Sequence, residues 1–157
     1  MSKATRATKL LEQAGIAFTV HRYDYDPYAD SIGLQAAQSL GEPPARVLKT
    51  LMALVDGKPV CVIVPSDSEV SMKKLAAAVG GKSAQMMKPA DAERVSGYKI
   101  GGISPFGQMR KVRTVIEAQV LAHGLVYVNG GHRGLQVRLS PHDMLSAPDF
   151  IAAPVVA

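Results

Sequence analysis

Apolar and polar positions follow a pattern along the chain that marks out its elements. Leu10, Leu11 and Ala14 share a helical face with Ala7, and Gly15 suits the position just past a helix end, which predicts a helix over 4–14. Ile16, Phe18 and Val20 then alternate with polar neighbours, the period of a strand over 16–23. Residues 24–30 carry Pro27 and the acids Asp24, Asp26 and Asp30 and read as a loop. Ser31 caps a helix that runs to Leu40 and stops at Gly41 and the Pro43-Pro44 pair. Two apolar runs, 47–55 and 59–64, flank Asp56-Gly57, a strong hairpin signal, and their near-continuous hydrophobicity places the hairpin centrally in a sheet.

Farther along, Ser71 opens a helix over 72–79 that ends at Gly80-Gly81, 83–87 is a short strand, and 89–95 a short helix with Asp91 and Glu93 near its start. Residues 98–107 hold three Gly and one Pro, too many for regular helix or a central strand. Strands follow over 112–117, 125–129 and 135–139, the last two joined by the turn Gly130-Gly131-His132-Arg133-Gly134. Ser140-Pro141-His142-Asp143 starts a final helix, and 152–157 reads as a frayed tail. Helices and strands mix without a βαβ rhythm, so the fold class is α+β.

Composition narrows the picture. A chain of 157 residues, 47% hydrophobic and 20% charged, is one globular domain with a core large enough to need no staples. A lone cysteine, Cys61, excludes an internal disulfide framework and a cysteine-based zinc site, and its apolar setting reads as a buried hydrophobe before a nucleophile. With 5% aromatics and no Trp, a base-stacking platform is disfavoured. The start of the chain lacks an apolar run of signal-peptide length, and no stretch approaches the ~18 residues of a membrane span, so the expectation is a soluble, cytoplasmic protein with no membrane partner. The net charge of +5 is uneven: −1 over residues 1–72, +8 over 73–138 and −2 over 139–157. That central excess suits phosphate or nucleic acid, or simply a lysine-rich solvated surface.

Candidate chemistry is sparse. The loop over 101–107 matches neither GxxxxGK[ST] nor GxGxxG, but its glycines can present backbone N–H groups to an oxyanion or carbonyl oxygen, or it is a plain connecting turn. Lys49, inside an apolar strand, either faces solvent or is kept to meet negative charge. The four histidines show no metal-ligand spacing, no Gly-x-Ser-x-Gly elbow exists, and the carboxylates of the 24–30 loop suit solvation better than a cation. No metal or other cofactor is expected. A lysine, a glycine loop and a basic flank without a standard nucleophile point to a reaction whose reactive group comes from the substrate.

Taken in order, these segments resemble the YbaK/EbsC family, the YbaK/aminoacyl-tRNA synthetase-associated domain. The resemblance covers nearly the whole chain, from Lys9-Leu10-Leu11-Glu12 and the stretch from His21 to Pro27, through Val47-Leu48-Lys49-Thr50-Leu51 and Lys73-Lys74-Leu75-Ala76, to its most specific parts, the run from Ala92 to Gln108 and that from Asn129 to Leu135. It implies a single domain over 1–157, with 1–3 and 152–157 flexible, built on a mixed, mostly antiparallel sheet that is bent, partly barrel-like and flanked by helices. It further implies a trans-editing deacylase of mischarged aminoacyl-tRNA, first of Cys-tRNA(Pro) and also of Cys-tRNA(Cys), in which the bound cysteine's thiol attacks its own ester. Alternatives are a deacylase for another small amino acid, such as Ala-tRNA(Pro), and a non-catalytic tRNA- or synthetase-binding module.

By position, the resemblance makes Lys49 the essential lysine. It makes Gly101, Gly102, Ile103, Ser104 and Pro105 the loop that grips the aminoacyl carbonyl, Tyr23 a pocket residue, and Asn129, Gly130 and Gly131 the opposite wall. The implied partners are the acceptor end of aminoacyl-tRNA and prolyl-tRNA synthetase. The chain departs from the family's usual His, Ser, Lys and Asp at Tyr25, Asn129, His132 and Gln136; of these, Asn129 and Gln136 lie on or beside the substrate wall and bear on which aminoacyl group is preferred.

Overall fold

A computed structural model describes residues 4–157, so the expected flexible start, 1–3, lies outside the described residues. The elements run α1 (Arg6–Gln13), β1 (Thr19–Arg22), α2 (Ile32–Leu40), β2 (Leu48–Val55), β3 (Lys58–Pro65), α3 (Met72–Ala78), β4 (Ala84–Met86), α4 (Pro89–Ser96), β5 (Arg113–Glu117), β6 (Val126–Asn129), β7 (Leu135–Leu139), α5 (Pro141–Met144) and β8 (Phe150–Ala153). Local chemistry fixes many of the boundaries. Thr5 and Thr8 exchange side-chain-to-backbone bonds across the start of α1, and Gly41 and Gly97 end α2 and α4 in the left-handed conformation. Asp56 (φ 50°) and Gly57 (φ 81°) are both left-handed, the type I′ geometry that closes a two-residue hairpin.

The strands form two sheets, β1-β7-β6 and β4-β2-β3-β5-β8. The first is antiparallel; in the second β3-β5 and β5-β8 are parallel. The α+β class and the mixed, mostly antiparallel character therefore hold. The partly barrel-like closure does not: β4 and β8 sit at opposite edges of the larger sheet, and an isolated bridge from Val47 to Tyr127 links the two sheets. The hairpin is central, and β3 is buried on both faces. Cys61 and Ile63 face the larger core with α1, α4 and the smaller sheet, while Val60, Val62 and Val64 face Leu75 and Ala76 of α3.

Two further expectations need correction. The strand over 16–23 shrinks to Thr19–Arg22, an edge strand pairing only with β7, and Val20 is exposed; Ile16 and Phe18 reach the core from outside the strand. The tail 152–157 is not frayed. β8 pairs with β5, Val155 is fully buried, and Glu117 accepts hydrogen bonds from the N–H groups of Val155 (2.9 Å) and Val156 (3.1 Å). Burial pushes the Glu117 carboxyl up, but these donors and the Gln119 N–H outweigh it and hold the group below the usual carboxylate range.

The pairing of the larger sheet is uneven along β2. β3 covers one side of β2 over its whole length, whereas β4 pairs only with Ala53–Val55 on the other. The first half of β2 is thus an open edge. The Met87 N–H bonds the Met52 carbonyl on that side (3.1 Å), and the two-residue period of a strand turns the backbone N–H and C=O of Thr50 the same way.

Candidate active site

A cleft of about 230 Å³ lies along this open edge. Leu48 to Met52 of β2 form its floor; Met86 and Met87, Ala92 of α4, Tyr23 and Ala36 wall it; Ile100, Gly101 and Ile103 of the glycine-rich segment close it, with Asn129 and Gln136 beside them. Its surface is mostly apolar, with a few polar groups that can orient a ligand.

Lys49 lines the cleft, half-buried. Among the described residues the ion pairs are Arg94–Asp91 and Lys111–Asp149, so no carboxylate neutralises the Lys49 ammonium. Two other cleft residues carry buried polar atoms without a hydrogen-bond partner, Thr50 through Oγ1 and Gln136 through Oε1, and the Gln136 side chain is 4% exposed. Unpaired buried polar atoms cost about 1–3 kcal/mol each, so both are places where a partner from outside the chain would relieve a cost. Burial pushes the Tyr23 phenol above its ordinary value, and the neighbouring Gln136 amide pulls the other way.

The glycine-rich segment is held from three sides. The Ile100 N–H bonds Glu93 Oε2 (2.9 Å), Arg133 Nε–H bonds the Ile100 carbonyl (2.8 Å), and Asn129 Nδ2–H bonds the Gly101 carbonyl (3.1 Å). Gly101 has φ +86°, and a Cβ there would collide with the Tyr25 hydroxyl, whose ring also lies under the Arg133 guanidinium at 5.2 Å. Among the described residues no acceptor meets the N–H of Gly101 or Ile103, which leaves both as donors for a ligand.

The structure brings together some of the residues expected at the site and separates others. Tyr23, Lys49, Gly101, Ile103 and Asn129 line the cleft. Gly102 and Gly131 line a neighbouring hollow instead, and Pro105 faces a groove on the far side. Ser104 is fully buried, its hydroxyl accepting from the Phe106 N–H (3.2 Å), an internal turn bond. Gly130 packs against Leu135 and Val137. Cys61 is buried in the core, and burial raises its thiol to about 12.

Asn129 lines the cleft, but its amide is already engaged. Nδ2 donates to the carbonyls of Gly101 (3.1 Å) and His132 (3.3 Å), and Oδ1 accepts from the N–H groups of Gly131 (2.7 Å) and His132 (3.2 Å). It ties the two glycine-bearing turns together and positions Gly101. Asn129→Ala is expected to cost about 2–3 kcal/mol through the groups left unpaired, which lowers the melting temperature by roughly 5–10 °C in calorimetry. Thr50 was not among the expected site residues, and Gln136 was expected beside the substrate wall only as a departure from the family's usual Asp. The only sequence signals were a threonine beside Lys49 and an amide where relatives carry an acid.

Comparison with known proteins decides the family. The sequence profile of the aminoacyl-tRNA editing domain matches residues 26–147. The chain belongs to the aminoacyl-tRNA editing family. A relative from Enterococcus faecalis, EbsC, whose name proposes a Cys-tRNA(Pro)/Cys-tRNA(Cys) deacylase, is 31% identical over 144 residues, 90% of this chain and 87% of its own. A proline–tRNA ligase from Acidithiobacillus ferrooxidans is 32% identical over 45% of this chain, a stretch that makes up 12% of the ligase. A crystal structure described as a proposed trans-editing enzyme for prolyl-tRNA synthetase superposes with a TM-score of 0.83 at 21% identity, covering 99% of both chains, and shares the fold. Family membership gives the class of reaction: this is an aminoacyl-tRNA deacylase, and the editing family's substrate is an aminoacyl ester on the end of a tRNA. Among the described residues no helix is long and apolar enough to cross a membrane.

Proposed function

We propose that this editing domain acts in trans on mischarged tRNA, removing cysteine from Cys-tRNA(Pro), and from Cys-tRNA(Cys) as well, with the cysteinyl thiol as nucleophile. The observation that carries this is a cleft with donors available to stabilise charge and few nucleophiles: Lys49, Gly101 and Ile103 line it, the last two with N–H groups that no acceptor meets among the described residues, while Cys61 and Ser104 are buried in the interior. The name of the E. faecalis relative supports the cysteinyl substrate. Prolyl-tRNA synthetase, whose A. ferrooxidans representative contains a similar stretch, is the partner that would supply tRNA selectivity to so small a domain.

In this scheme the thiol sulfur bonds to the ester carbonyl carbon. The bond from that carbon to the ribose oxygen breaks, and the thiol proton ends on the ribose oxygen. The products are a cysteine thiolactone and tRNA with a free terminal hydroxyl, and no water is consumed. The Gly101 and Ile103 N–H groups receive the developing oxyanion, and Lys49 stabilises the charge and holds the terminal nucleotide. The chain contributes proximity: a sulfur held ~3–3.5 Å from its carbonyl gains up to ~7–11 kcal/mol over a bimolecular attack. Gln136 Oε1, an acceptor only, meets the substrate's α-ammonium.

The test is a deacylation panel of purified protein against Cys-, Ala- and Pro-tRNA(Pro). Cleavage of the Cys ester alone is expected; preference for Ala would move the reading to a water-using deacylase, and no turnover of any ester would leave a binding module. Gln136→Leu removes an unpaired buried atom along with the proposed contact. It is expected to keep or raise the melting temperature while lowering kcat/KM roughly 10–100-fold, since a hydrogen bond to a charged group is worth about 1.5–3 kcal/mol. Loss of stability with unchanged kcat/KM would assign Gln136 a structural role.

A further inference from the structure

Across the wall formed by Gly101-Gly102 and the turn from Asn129 to His132 lies a second hollow, of about 330 Å³. Its lining is unlike that of the cleft. Arg6, Lys99, His132 and Arg133 all contribute, together with Gly102 and Gly131, and no Asp or Glu does.

The two guanidinium groups are held in place. Arg6 donates to the carbonyls of Gly107 (2.9 Å), Ser96 (3.4 Å) and Gly97 (3.2 Å) and lies over the Tyr98 ring at 4.6 Å. Arg133 donates to Ile100 and lies over Tyr25. Both keep further N–H groups and their full charge, because carbonyls and rings do not neutralise them. Lys99 is exposed and, among the described residues, makes neither an ion pair nor a side-chain hydrogen bond. Like charges brought together without a carboxylate repel one another, and a multivalent anion relieves that repulsion. The same Asn129 amide that bonds the Gly101 carbonyl in the cleft bonds the His132 carbonyl here, so one side chain ties the walls of the two hollows together.

We propose that this hollow is a phosphate-binding subsite for the backbone of the RNA strand whose aminoacylated end occupies the cleft. Lys99 and the free edges of Arg6 and Arg133 contact a phosphodiester upstream of the ester, fixing the direction in which the strand leaves the cleft. The subsite extends the deacylase reading and depends on it for the strand's identity, but its test needs no turnover. The protein is titrated with an uncharged acceptor-stem RNA hairpin ending in CCA, between about 50 and 200 mM NaCl, the range over which phosphate contacts dominate affinity.

Lys99→Glu is expected to weaken binding at low salt. It should also flatten the plot of log affinity against log salt by about 0.7 for each single-strand phosphate that the protein no longer neutralises. Lys58→Glu makes the same charge change at the exposed β2–β3 turn and is expected to keep the wild-type slope. Wild-type slope in Lys99→Glu, or equal flattening in both variants, overturns the subsite in favour of diffuse attraction. Inorganic phosphate is added at matched ionic strength as a second arm. RNA binding that does not respond supports a phosphodiester site, and displacement of the RNA overturns it in favour of a free-phosphate site. Turnover of Cys-tRNA(Pro) without a Lys99-dependent slope sinks the subsite alone, and a Lys99-dependent slope without turnover sinks the deacylase reading alone.

Discussion

Lys49→Met lowers kcat/KM for cysteinyl-tRNA by about 10²–10³-fold and leaves the fold intact, the loss typical of removing one donor from an oxyanion site. Methionine keeps most of the aliphatic stem and removes only the charge, so the packing along the open edge of β2 survives. No carboxylate partner is stranded by the change, because among the described residues none pairs with Lys49. The melting temperature should therefore stay within a few degrees of wild type, as expected where no buried partner is left unpaired. Lys49→Arg should restore little: a planar fork is bulkier than an ammonium in a cleft of about 230 Å³ and aims its donors differently. A fall in activity that tracks a fall in stability would place Lys49 in the scaffold instead. An unchanged kcat/KM would remove it from the chemistry altogether.

Much of the fold was legible because its signals are local. Asp56-Gly57 set a type I′ turn, Ser31 and Ser71 cap their helices, and the unbroken apolar run of β3 reflects burial on both faces. What escaped depends on distant partners. The segment 152–157 is short, rich in Ala and Val, and without alternation; its order comes from β5 and from the Glu117 carboxylate far away in sequence. Sheet closure likewise depends on which edges meet, and no residue pattern reports that β4 stops after Met86 and leaves Leu48–Leu51 uncovered.

The site shows the same division. Lys49 stands out as a charge in an apolar strand, and the 98–107 segment as a cluster of glycines, so both could be singled out from sequence. Their neighbours could not be sorted. Gly101 and Gly102 are adjacent and alike in type, yet one meets the cleft and the other the basic hollow. Asn129 has the chemistry of a ligand contact, but its amide is used up on Gly101, Gly131 and His132. Thr50 and Gln136 matter because their polar atoms lack partners, a property that exists only once everything around them is packed.

The second large effect concerns the substrate rather than the chain. If the protein supplies position and donors but no nucleophile, the rate must depend on the sulfur atom that the aminoacyl group carries. An intramolecular attack by that sulfur has an effective molarity of up to about 10⁵–10⁸ M, whereas a thiol-free analogue must wait for water without a side chain placed to activate it. Replacing cysteine by 2-aminobutyrate, which substitutes a methyl for the thiol, keeps the size and the α-ammonium and removes only the nucleophile. The decisive measurement is therefore the single-turnover cleavage rate of cysteinyl-tRNA(Pro) beside that of 2-aminobutyryl-tRNA(Pro) by the wild-type protein. A loss of at least about 10³-fold for the analogue, with a thiolactone as the first product from cysteine, is the predicted result. Equal rates, with the free amino acid released directly from both esters, would show that water is the nucleophile and contradict the substrate-thiol mechanism.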